Sequence, residues 1–137
     1  VLLYDDLTQK QKDFFLKYIW NGVGSREYPK PPQLIFREAS IYHDFGYFRG
    51  GPESLRKEVD REFFHKAHSA VRRLPIAQRP FYYAMSYIYF YGLKKLGSKA
   101  WELYPEPAKT WEEFLNRVYA YFDRNPGQAG RPPKWVE

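Results

Sequence analysis

Apolar residues along this chain recur at three- and four-residue intervals, the period of an amphipathic helix, and no segment alternates convincingly at the period of a strand. "LTQKQKDFFLKYIW" predicts a first helix. Thr8 and Gln11 form a capping box, and Phe14, Phe15, Tyr18 and Ile19 share one face. Asn21-Gly22-Val23-Gly24-Ser25 ends it, and the loop through "REYPKPP" is stiffened by Pro29, Pro31 and Pro32. A second helix is predicted from Gln33 to Phe48, stopped by Gly50-Gly51, and a third from Pro52-Glu53 to Leu74. Proline suits the first turn because its missing N–H would have no partner there. Pro75 and Pro80 bracket the turn into a fourth helix from Phe81 to Leu103, weakened in its second half by Gly92 and Gly97. Thr110 and Glu113 open a fifth, ending near Asp123. The expectation is an all-α chain of about five helices: one domain over residues 1–124 and an irregular Pro/Gly-rich tail over 125–137.

Two polar residues interrupt this pattern. His43 shares a helical face with Phe36, Ala39, Gly46 and Tyr47, and Asp60 shares one with Phe63, Phe64 and Ala67. An unpaired carboxylate in apolar company is costly, so it changes protonation state or finds a donor. The economical arrangement is mutual: Asp60 accepts from one imidazole nitrogen and His43 offers the other to chemistry. Asp44, about 100° round the helix, is left for a different task. The competing reading is a purely structural pair, a satisfied core histidine beside a buried carboxylate.

Composition narrows the setting. With 44% hydrophobic and 20% aromatic residues, 137 residues suffice for a core. The absence of cysteine excludes disulfides, thiolate metal sites and cysteine nucleophiles. A net charge of +6 and a pI near 9.4 suit anionic partners: nucleic acid, acidic lipid or other phosphate-bearing surfaces. "FYYAMSYIYFYGL" is too short and too tyrosine-rich to cross a bilayer, and no signal peptide is visible. A first residue of Val1 leans towards secretion or excision from a larger processed protein.

Other segments offer alternatives. His65 and His68 form an H-x-x-H pair that, with Glu62 or Asp60, would make a zinc site; the ordinary reading is exposed helix residues. The fourth helix is aromatic nearly all round, which predicts burial on every side. Its functional alternative places some tyrosines and Trp101 on an interfacial surface or acyl channel beside Lys94, Lys95 and Lys99. Arg72, Arg73, Lys66 and Arg79 form a basic cluster, read either as solvated helix ends or as a dock for anionic lipid. Stacking on single-stranded nucleic acid is a further class, unsupported by any RNA-binding motif or zinc finger.

Taken together, "NGVGS", "HDFGY" and "DREFF" resemble the phospholipase A2 superfamily, closest to its disulfide-free bacterial and parvoviral branches. The likeness spans Trp20 to Ala67. It implies two long antiparallel helices carrying the catalytic pair, and calcium-dependent hydrolysis of the sn-2 ester of glycerophospholipids at a membrane surface. In the H-D-x-x-Y motif, His43 would be the general base, Asp44 a calcium ligand and Tyr47 a support for the orienting carboxylate, Asp60. Gly22, Val23 and Gly24 would give backbone carbonyls to calcium. Without the disulfides of secreted animal relatives, aromatic packing would have to hold the core. The alternatives are a catalytically silent interaction module on the same scaffold and a basic nucleic-acid-binding domain.

Overall fold

The computed structural model describes residues 1–20, 33–128 and 130–137, with the side chains of Gln33 and Leu34 outside the description; the Gly22-Val23-Gly24 triplet lies outside it too. All regular secondary structure among the described residues is helical, with no strand. They contain α1 (Gln9–Phe14), α2 (Gln33–Arg49), α3 (Glu53–Arg72), α4 (Arg79–Leu96) and α5 (Trp111–Arg124). A π-helical turn, Phe15–Ile19, prolongs α1.

The caps follow from local chemistry. Thr8 N–H donates to Gln11 Oε1 at 2.9 Å, and Gln11 N–H returns a bond to Thr8 Oγ1 at 3.2 Å. At α5, Glu113 N–H donates to Thr110 Oγ1, while the Glu113 carboxylate accepts from the N–H of Lys109. The C-terminus of α2 is closed by a distant segment. Glu102 N–H donates to Tyr47 O, Ala108 N–H to Arg49 O, and Arg117 Nη1 also donates to Arg49 O. Residues 102–104 thus thread across the α2–α3 turn, where Gly51 exchanges bonds with Glu102 O and Tyr104 N–H. A Cβ on Gly50, whose φ is +70°, would lie 2.3 Å from Glu102 O, so only glycine fits there.

α2 and α3 run antiparallel, with Gly46 against Val59, His43 against Asp60, and Phe36 near Phe63, Ala67 and Val71. A Cβ on Gly46 would stand 2.8 Å from Val59 Cγ1, so the bare glycine sets how closely the helices approach. On the other side, α1 and α5 enclose an aromatic core in which Phe45 stacks on Phe114 at 4.6 Å and meets Phe15 edge-on. The tail is irregular but packed: Trp135 lies against Phe14 and Trp111, and Tyr119 donates to Pro133 O.

Two expectations are corrected. α4 ends at Leu96, not Leu103, because the chain tightens into a 3-10 turn at Gly97 to bring Trp101 inward. Nor is α4 buried all round. It packs one face on α3 and leaves Phe81, Tyr87, Ile88 and Tyr91 exposed.

Gly46→Ala should destabilise the chain by about 1–3 kcal/mol, since Val59 must yield to the new methyl. Gly92→Ala, with nothing within 4 Å of the added atom, should be neutral or stabilising by up to about 1 kcal/mol. Urea denaturation of both variants checks the contrast.

Candidate active site

The α2–α3 seam brings the two interrupting residues into contact. His43 Nε2 lies 2.9 Å from Asp60 Oδ1, and the Tyr47 hydroxyl donates to the same oxygen at 2.6 Å. Asp60 is 2% exposed and His43 7%. An ionised carboxylate only accepts, so it draws the proton of a neutral His43 to Nε2 and leaves the Nδ1 lone pair available. Nδ1 lies 3.8 Å from Asp44 Oδ1, too far for a full hydrogen bond but close enough for charge to act.

These surroundings set the basicity of the ring. Burial is the largest single influence and disfavours the imidazolium. The flanking carboxylates of Asp44 and Asp60 together outweigh it and hold His43 above the ordinary histidine pKa. Tyr47 is pushed far above the usual phenol range, by burial first and then by the Asp60 charge, so it remains a hydrogen-bond donor.

Each member is held by neighbours. Tyr47 stacks at a tilt on His43 at 4.3 Å and meets the Trp101 ring edge-on at 5.1 Å. Trp101 is buried, not a surface residue, and its indole N–H donates to Gly51 O at 2.9 Å. A Cβ on Gly97 would lie 2.3 Å from the Tyr47 hydroxyl, so the residue that ends α4 also makes room for the site. Phe63 closes the other side of the imidazole.

Sequence reasoning had missed Arg56. Its Nη1 lies 3.6 Å from Asp60 Oδ2, while its Nε donates to Glu53 at 2.7 Å. The i,i+4 spacing of Arg56 and Asp60 on one helix was the available signal. Trp101 and Gly97 had none, since they join the site only through the return of the chain.

Asp44 follows His43 on α2, and its side chain is mostly buried. Trp20, two residues before Gly22 in the chain, donates its indole N–H to Ser40 at 2.7 Å, one turn before Asp44. No cluster of three His, Asp or Glu side chains suited to a metal occurs among the described residues. Asp44 is therefore the described carboxylate at this place, and other oxygen donors would have to come from main chain or from outside the described residues. The H-x-x-H pair does not assemble. His65 is exposed, His68 packs among Phe64, Tyr83 and Tyr87, and Asp60 faces His43.

The arrangement suits removal of a proton from a small nucleophile. In such a transfer Nδ1 would be the base, with Asp60 fixing the tautomer and stabilising the imidazolium that forms. The chain matches no protein-family model, no curated protein and no solved structure.

The raised pKa of His43 has a sign that stability can report. Its contribution is fully present below the unfolded value of about 6.5 and is lost as pH rises through the folded value. In chelator, the thermal midpoint of the parent chain relative to His43→Gln should be most favourable near pH 5 and should shrink towards pH 9. A constant difference would show that the ring gains nothing from its two carboxylates.

Proposed function

We propose that this chain is a phospholipase A2-like esterase, hydrolysing the sn-2 ester of glycerophospholipids with water activated by His43. The observation that carries the reading is the double contact on the buried Asp60 carboxylate: the H-D-x-x-Y histidine and tyrosine both reach the aspartate of the next antiparallel helix. In this reading His43 Nδ1 takes a proton from water as the hydroxyl attacks the ester carbonyl. It then returns that proton to the departing alkoxide. Asp60 holds the ring and balances its transient charge, with Tyr47 and Arg56 keeping Asp60 in place.

Calcium would be held by Asp44 with the carbonyls of Gly22, Val23 and Gly24, which lie outside the described residues; when bound it supplies a Lewis acid for the ester oxygen. The position of Asp44 beside Nδ1, and of Trp20 on Ser40 one turn away, supports that choice of ligand. The phospholipid surface is the proposed partner of the exposed α4 face. Phe81, Tyr87, Ile88 and Tyr91 give it an apolar stripe that ends in exposed Lys94 and Lys95, a pattern suited to anionic lipid. No helix among the described residues is long and apolar enough to cross a membrane.

Fatty-acid release from mixed phospholipid vesicles should require calcium and stop in chelator. His43→Gln and Asp60→Asn should each lower the rate by about 10²–10⁴-fold, with Tyr47→Phe costing less. Release indifferent to chelator or to His43→Gln would overturn the proposal. Separately, Ile88→Asp should weaken sedimentation with anionic vesicles while leaving the thermal midpoint nearly unchanged.

A further inference from the structure

A second feature lies at the same helix pair, in a pocket to which His43 and Phe63 contribute beside side chains outside the dyad. A pocket of about 150 Å³ opens between the N-terminal segment, α2 and α3. Leu3, Phe45, Gly46, Val59 and Phe63 give it apolar walls. A cavity of this size admits a body of about benzene's dimensions.

Its charges do not cancel pair by pair. Asp5 accepts from the Tyr42 hydroxyl. Lys66 lies 3.9 Å from Glu62 and 4.2 Å from the centre of the Tyr42 ring. Asp5 and Arg49 are left without an ion pair among the described residues, and of the two Arg49 is the buried one. It is 8% exposed, no carboxylate among the described residues lies within ion-pair distance of it, and its Nε is buried without an acceptor. Among the described residues its side chain donates from Nη1 to the Leu2 carbonyl at 3.3 Å. Burial pulls its pKa down, opposed by the more distant charge of Glu62. A buried cation with one carbonyl for company is expensive to maintain, and a single negative charge would relieve it.

We propose that this pocket is a binding site for a small monocarboxylate with an apolar body, such as a short-chain fatty acid. The carboxylate would pair with Arg49, assisted by Lys66, and the hydrocarbon would lie against Phe45, Gly46, Val59 and Phe63. The geometry favours a monoanion over phosphate. One guanidinium is unmatched, Asp5 and Glu62 at the rim repel a dianion, and the apolar walls offer phosphate nothing. His43 contributes to the lining, but the inference does not depend on hydrolysis, on calcium or on residues 21–32.

The test is titration of the isotope-labelled full chain with sodium hexanoate in chelator, followed by amide NMR. Shifts should cluster at Leu3–Asp5, Gly46, Val59 and Phe63. The neutral analogue 1-hexanol and inorganic phosphate should each bind at least tenfold more weakly. Arg49→Gln should weaken hexanoate about tenfold or more, the loss expected for a charge-assisted hydrogen bond. Lys66→Gln, at a partly exposed position, should weaken it severalfold and keeps the test decisive if Arg49→Gln does not fold. Equal binding of 1-hexanol or phosphate, or unchanged affinity in every folded variant, would overturn the site. Because no turnover is measured, failure here leaves the esterase reading standing, and the reverse also holds.

Discussion

A carboxylate enclosed between two helices is the constraint around which this molecule is arranged. Removing Asp60 from water costs several kcal/mol in effective terms, and the cost is tolerable only if donors surround it. His43 and Tyr47 reach one oxygen and Arg56 approaches the other. Each donor in turn needs space or support. Gly46 allows the two helices to close, Gly97 leaves room for the Tyr47 hydroxyl, and Trp101 covers Tyr47 from the far side. The polar centre and the packing around it are one construction, and a change in either reaches the other.

The two nitrogens of His43 divide its environment. Nε2 is committed to Asp60 inside the seam, and Nδ1 faces the charge of Asp44. A ring held this way is oriented, fixed in tautomer and made more basic. A structural histidine needs only the first of these. That combination is why we propose an esterase rather than a catalytically silent module; a helical fold alone would not decide between them.

Local chemistry was legible in the sequence wherever a feature is carried by near neighbours. The caps at Thr8 and Thr110, the break at Gly50-Gly51 and the pairing of His43 with Asp60 all follow from spacing along one or two helices. The extent of α4 was not legible, because Gly97 acts through Tyr47, fifty residues earlier in the chain. The place of Trp101 beside the site was not legible for the same reason: nothing nearby in sequence shows that Gly51 will accept its N–H. The uniform aromaticity of α4 also misled, since composition around a helix gives no sign of how many of its faces find a neighbour. Arg49 occupies the last turn of α2, where a cation is ordinary, and only the fold shows that the N-terminal segment covers it.

The crossing of residues 102–104 over the α2–α3 turn bears on the order in which the chain can organise. The helical hairpin itself is a local event, with its pair separated by 17 positions. The bond from Trp101 to Gly51 spans 50 and carries a larger loop-closure entropy. The hairpin can therefore form early while the carbonyls ending α2 remain hydrated. The buried ion is sealed in only when the distal third of the chain arrives, so assembly of the polar centre is a late step of folding.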